Sequence, residues 1–161
     1  MPIDSERISR ARAILAHNQL DALICRLPEN VLLLSGYWPM NGFAALVFPV
    51  HGDPVLIAPH AEAELVADSW VGDVRLYSWG LVDSGDPFAQ IGTLLVQAAA
   101  DRRLGGGRIG YEGSFEFIAA PYVSAEPSVI SGRTIALLRA AFGDTLVDAT
   151  DLIHELRLHK R

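Results

Sequence analysis

LGGGRIGYEG, residues 104–113, carries Gly105, Gly107 and Gly110 at the spacing G-x-G-x-x-G. Between a strand and a following helix, that spacing makes a turn whose amides cradle a pyrophosphate. Here the order is reversed. Phe88, Ile91, Leu95 and Ala98 lie on one helical face before the glycines, and RIGYE after them reads as a strand. A helix C-terminus has spent its amides within the helix, and its dipole repels anions. No acidic residue closes a second strand about 20 residues on, where a ribose contact requires one. The glycines are therefore a helix stop and a turn, and the local unit is helix–turn–strand.

Working outward, the same alternation continues. Asp86-Pro87 opens the helix before the glycines, with Asp as cap and Pro in the first turn. Arg102 and Arg103 are placed in its last turn, where the dipole favours cations. After RIGYE, SFEFIAAPYVS reads as a helical turn broken at Pro121. Ser131 caps a helix with Ile135, Leu138 and Phe142 on one face, ended by Gly143. TLVDA is the last strand, and Thr150 caps a final helix, DLIHELRLHKR.

Towards the N-terminus, Asp4 or Ser5 caps a first helix with Ile8, Ala11 and Leu15 in one stripe, and Asn18 is a left-handed stop. LDALIC is a buried strand. PENVLLLSG is a short helix between Pro28 and Gly36. GFAALVF and PVLIA, joined by the turn VHGD, form an antiparallel hairpin. HAEAELVA is a short helix and DVRLYSW another strand. Alternating helices and strands with one inserted hairpin predict an α/β layered domain with a mixed sheet.

The chain has 161 residues, the size of one domain, and a net charge of −6. That charge gives no basic face for nucleic acid. The basic cluster at residues 157–161 reads as a solvated terminus. A single cysteine, Cys25, excludes an internal disulfide and lies in an apolar run, where a buried thiol is common. The polar N-terminus carries no secretory h-region, and no apolar run approaches the roughly 20 residues that span a bilayer. The expected setting is cytoplasmic, away from membranes.

The chemistry-bearing residues form no catalytic constellation. HELRLH, residues 154–159, is one residue longer than the zinc-binding H-E-x-x-H. At i+5 the imidazoles of His154 and His159 point roughly 140° apart and cannot share a metal. His17, His51 and His60 show no ligand spacing. Asp148 and Asp151 flank a helix start, which suits capping better than acid–base work. Glu112 is a lone acid at a strand end, read as a turn or packing residue. There is no G-x-S-x-G elbow.

The order and wording of the segments resemble a known family. LDALICRLPENVLLLSGYW (residues 20–38) resembles a run near the start of creatinase/prolidase-type proteins. FAALVFPVHGDPVLIAPHAEAELVA (43–67) resembles the hairpin and helix that follow it there, RIGYEG (108–113) the IGxE strand, and LVDATDLIHELRLHKR (146–161) the segment leading out of the domain. Arg157 and Lys160 match an R-x-x-K pattern in that segment. The chain is thus similar to the N-terminal domain of creatinase, prolidase and aminopeptidase P.

The resemblance implies a mixed, roughly six-stranded sheet flanked by helices, with no metal in this domain and catalytic residues elsewhere. The chemistry would sit in a following C-terminal domain holding two divalent ions, manganese, cobalt or zinc, as in Xaa-Pro dipeptidases. Residues 1–150 would be the N-terminal domain and 151–161 the start of a linker helix, cut before that catalytic domain. Family likeness also implies a homodimer and a loop leaning over the active site. That substrate-access lip would be Tyr37, Trp38, Met40, Asn41 and Phe43; the alternative places Trp38 and Phe43 in the core. Residues 37–46 lack arginine, which argues against creatine as substrate. The alternatives are a creatinase-like or other non-peptidase parent, or a free-standing binding domain. Leu152, Ile153 and Leu156 discriminate: packed on this domain, they make free-standing life easier; exposed, they call for a missing partner.

Overall fold

A computed structural model describes residues 4–41, 43–79, 85–113 and 131–158. The expected helical turn at 114–124 falls outside them.

Helix α1 (Ser5–His17) is capped by Asp4, whose side chain accepts the Arg7 N–H, and it buries Ile8, Ala11 and Leu15. Its stop differs from expectation. Asn18 keeps φ −86°, and the left-handed residue is Gln19 at φ 56°. The Leu20 N–H then returns to Leu15 O, closing a wider C-terminal loop one residue later. Strand β1 (Ala22–Cys25) follows, then α2 (Pro28–Ser35), ended by Gly36 in the left-handed region at φ 77°.

Strands β2 (Ala45–Pro49) and β3 (Val55–Pro59) pair antiparallel as the expected hairpin, with Val47 opposite Val55. A 3-10 turn (His60–Glu62) runs into α3 (Ala63–Val66), and β4 (Asp73–Tyr77) returns parallel to β3. Helix α4 (Pro87–Asp101) is capped by Asp86 and buries Ile91, Leu95 and Ala98. Strand β5 (Ile109–Tyr111), α5 (Gly132–Phe142, capped by Ser131), β6 (Leu146–Asp148) and α6 (Thr150–Leu158) complete the order.

The sheet is mixed and six-stranded, in the order β4-β3-β2-β1-β5-β6. The pairings make β2 the one strand that runs against the other five. Side chains alternate between two cores, as strand geometry requires. Leu23, Cys25, Leu46, Phe48, Leu56 and Ala58 face α1, α2 and α6. Ala22, Ile24, Ala45, Val47, Val55 and Ile57 face α4 and α5. Burial on both faces explains why β1, β2 and β3 read as unbroken apolar runs rather than alternating ones.

Leu152, Ile153 and Leu156 of α6 are buried in the first of these cores. The helix is therefore seated on this domain through these three residues, the outcome that makes free-standing life easier, while Leu158 at its end is 82% exposed. Among the described residues, no helix is long and apolar enough to cross a membrane.

Candidate functional site

Because five strands point one way, their C-terminal ends share one edge of the sheet. Arg26 follows β1, Glu62 follows β3, Tyr77 ends β4, Glu112 follows β5 and Asp148 ends β6. In open α/β sheets that edge is where ligands bind. The loop leaving α2 crosses the same edge on its way to β2.

Glu62 holds that loop. Its side chain is buried, and its carboxylate accepts three hydrogen bonds from the loop. Tyr37 Oη donates to Oε2 at 2.5 Å, the Met40 N–H donates to Oε2 at 3.1 Å, and the Asn41 N–H donates to Oε1. An ionised carboxylate, which only accepts, suits three donors. Burial pushes the Tyr37 phenol well above its ordinary value, and the Glu62 charge beside it adds to the shift. The far end of the loop is fixed by Tyr77, whose hydroxyl accepts the Phe43 N–H and donates to Phe43 O, both at 2.8 Å.

The five lip residues therefore divide. Tyr37 and Phe43 are buried supports, Phe43 within the core on the α4 side. Trp38 is half-buried, whereas Met40 (57% exposed) and Asn41 face solvent. The surface offered by the loop is Met40 and Asn41, with Trp38 beside them.

A second cluster lies next to it. Glu112 is buried, and its carboxylate accepts the Arg26 N–H at 2.7 Å, the Leu27 N–H at 3.0 Å and Asn30 Nδ2 at 2.5 Å. These donors cluster at the start of α2, whose own N-cap, Leu27, has no side-chain cap. Glu112 supplies the missing acceptor from another strand. Asn30 Oδ1 in turn accepts Arg157 Nε at 2.8 Å. The Arg26 guanidinium lies 4.6 Å from the centre of the Phe43 ring. Burial raises the Glu112 carboxyl above the ordinary glutamate value, against the pull of its donors. Burial also pushes the Cys25 thiol up, the opposite of what a nucleophile needs.

The glycine stretch does what a turn and a tight packing joint require. Gly106, which is not one of the three spaced glycines, takes the left-handed conformation at φ 76°. Gly105 faces open space. A Cβ on Gly110 would lie 2.9 Å from Leu20 Cδ1 and 3.0 Å from the Ala149 Cβ. One on Gly113 would overlap the Asp148 carboxylate, which accepts the Thr150 N–H and hydroxyl at the start of α6. Asp148 thus takes part in the turn into α6, while Asp151 lies exposed in its first turn.

His17, His51, His60 and His154 are all exposed, and His159 and Lys160 lie outside the described residues. Among the described residues, no three His, Cys, Asp or Glu side chains gather as a metal-ligand group.

At the opposite edge, Arg102 and Arg103 lie just past the end of α4. Arg102 donates to Asp73 at 2.7 Å and to Asp53 O. Arg75 pairs with both Asp73 and Asp101. A shallow cleft of about 680 Å3 lies over this network, between Trp70, Asp73 and Arg102. Within it, Asp73 and Arg102 are paired with one another.

Sequence comparison matches residues 7–159 to a family described as the Creatinase/Prolidase N-terminal domain. No curated protein sequence matches the chain. Among solved structures, the dipeptidase PepE from Mycobacterium ulcerans is 20% identical with a TM-score of 0.67, over 100% of this chain and 39% of that one. A dipeptidase from Pyrococcus horikoshii is 17% identical with a TM-score of 0.69, over 96% of this chain and 37% of its own. The creatinase/prolidase N-terminal domain of an X-Pro dipeptidase from Streptococcus pyogenes is 16% identical with a TM-score of 0.65, over 93% of this chain and 98% of that domain. The chain spans about two fifths of the two longer proteins and matches the isolated domain along its length.

Proposed function

This chain belongs to the creatinase/prolidase N-terminal domain family, and on that premise we propose that it is the non-catalytic domain of an Xaa-Pro dipeptidase-like metallohydrolase. In this reading the metal ions and reacting groups belong to a C-terminal catalytic domain, its partner in a longer protein that pairs as a homodimer. The domain's task is to present loop 37–41 as a lip over that site. The observation that carries the reading is the loop itself. A buried carboxylate spends three hydrogen bonds to hold a segment that leaves Met40 and Asn41 in solvent. A rigid loop with an exposed thioether and amide suits contact with a peptide substrate or a neighbouring domain.

A second reading, a free-standing binding domain, draws on the seating of α6. Leu152, Ile153 and Leu156 are already buried without any partner. One assay addresses the enzymatic claim. The purified 161-residue chain should hydrolyse no Xaa-Pro dipeptide, with or without added manganese. Turnover that tracks the protein through purification, with or without the metal, would overturn the proposal. To separate the two readings, the catalytic half of a related prolidase is expressed with and without this domain. Faster Xaa-Pro turnover with the domain, lost in Met40→Asp, supports the lip. Unchanged turnover supports the free-standing alternative.

A further inference from the structure

Three of the segments that carry the family resemblance meet in one hydrogen-bonded chain. Asn30 comes from PENV, Glu112 from RIGYEG and Arg157 from HELRLH, 82 and 127 residues from Asn30. Glu112 holds the start of α2 through two backbone N–H groups and the Asn30 amide. Asn30 has its other amide atom on Arg157 of α6. An amide has one face of each kind, so Asn30 can serve both partners only in this orientation. Helix α2 then runs eight residues to Gly36 and releases directly into loop 37–41. At the loop's far end, Phe43 lies under the guanidinium of Arg26, whose backbone N–H is also on Glu112. Both ends of the loop therefore attach to groups held by Glu112, and α6 attaches to the same point.

We propose that Arg157, acting through Asn30 and Glu112, is a positioning residue for loop 37–41, so that the seating of α6 and the shape of the loop depend on one another. Energetic coupling between separated elements needs a physical network of this kind and has to be measured rather than assumed. This proposal rests on the chain's own contacts and stands whether or not the loop acts as a substrate lip. In effect, α6 and whatever it contacts would be felt at Met40 and Asn41.

The test is amide hydrogen exchange on the 161-residue chain, in Arg157→Gln and in a control, Leu95→Ala. Leu95 lies in the core on the other face of the sheet. The Met40 and Asn41 amides, both bonded to Glu62, report on the loop. Labelling of Cys25, the single cysteine, reports opening of the joint beside Arg26. The proposal expects exchange at Met40 and Asn41 to rise about tenfold in Arg157→Gln beyond what lost global stability explains, and no such excess in Leu95→Ala. Faster Cys25 labelling in Arg157→Gln with no excess at Met40 and Asn41 overturns it, as does an equal excess in the control. If Arg157→Gln does not fold, Arg157→Lys is read in the same way. Lysine keeps the charge but lacks the fixed guanidinium fork. A selective excess at the two loop amides supports the link, and its absence overturns it.

Discussion

Tyr37 donates its phenolic O–H to the buried carboxylate of Glu62 at 2.5 Å, joining residues 25 apart in sequence. The contact turns an irregular segment after α2 into a fixed one, because the same carboxylate also takes the Met40 and Asn41 N–H groups. A hydrogen bond to a charged group contributes about 1.5–3 kcal/mol. Tyr37→Phe should lower stability by about that amount in urea unfolding while keeping the ring in place. Glu62→Ala should cost more, because it orphans two backbone donors as well.

The same pair sets an alkaline limit. The folded-state value of Tyr37 is raised above the ordinary tyrosine value of 10.0. A raised value contributes stability that is present below that pH and lost as pH rises through the shifted range. Unfolding free energy should therefore fall with pH above about 10, more steeply in the native chain than in Tyr37→Phe. Parallel slopes for the two proteins would show that burial and Glu62 together do not hold the phenol protonated.

The glycines of LGGGRIGYEG make separate predictions. Gly105→Ala should change stability by no more than about 0.5 kcal/mol, as surface substitutions do. Gly106→Ala forces a Cβ into the left-handed region and should cost about 1–2 kcal/mol. Gly110→Ala pushes on Leu20 and Ala149 and should cost about 1–3 kcal/mol. Gly113→Ala displaces the exposed Asp148 carboxylate from Thr150 and should cost about 0.5–1.5 kcal/mol, the worth of a hydrogen bond. A phosphate-binding turn would instead make Gly105 intolerant and yield a measurable affinity for nucleotides. Thermal unfolding of the four variants separates the cases.

Local signals explain why so much of this fold is legible in the sequence. Asp4, Asp86 and Ser131 act as the caps their positions imply, Gly36 ends α2, and the VHGD turn closes the hairpin. Each depends on neighbours within a few residues. The left-handed stop of α1 lies one residue past its expected place, at Gln19 rather than at Asn18, although asparagine suits that backbone better; the Leu20-to-Leu15 bond closes the helix there. The site residues are harder to read, for a different reason. In the sequence Tyr37 looks like an exposed aromatic in a Pro- and Gly-containing loop, and Phe43 reads either as exposed there or as core. They are buried because Glu62, Tyr77 and Arg26 come to them from three other segments. Nothing in HAEAE marks Glu62 as the anchor of a loop some 20 residues upstream. Glu112 is legible as a packing residue but not as the cap of α2, since that role depends on β1 and β5 being neighbours.

At the other edge of the sheet, Asp73 accepts hydrogen bonds from Arg75 and Arg102, and they hold its carboxyl below the ordinary value of 3.8. A lowered folded-state value contributes stability above the unfolded value and loses it as pH falls through the folded one. The native chain should lose its advantage over Asp73→Asn as pH drops below about 4. Unfolding free energies of the two proteins, measured from about pH 6 down to about pH 2, should converge. Curves that stay parallel across that range would mean the two arginines do not stabilise the ionised form.

Glu112 should show the reverse sign. Burial raises its carboxyl above the ordinary 4.5, with desolvation outweighing the donors from Asn30, Arg26 and Leu27. Its contribution is therefore greatest below the unfolded value and declines as pH rises through the shifted one. Relative to Glu112→Gln, the native chain should weaken as pH climbs from about 4. Asp73 moves in the opposite direction, so a raw pH profile of the native chain mixes the two, and the comparison has to be made in the Asp73→Asn background. There the difference between the chain that keeps Glu112 and the one that also carries Glu112→Gln isolates one carboxyl. A difference that grows with pH would mean that the three donors outweigh burial and that Glu112 is held as a charge. A difference that shrinks would mean that α2 is capped at a desolvation cost, which the chain bears in order to fasten α2 to β5 and α6.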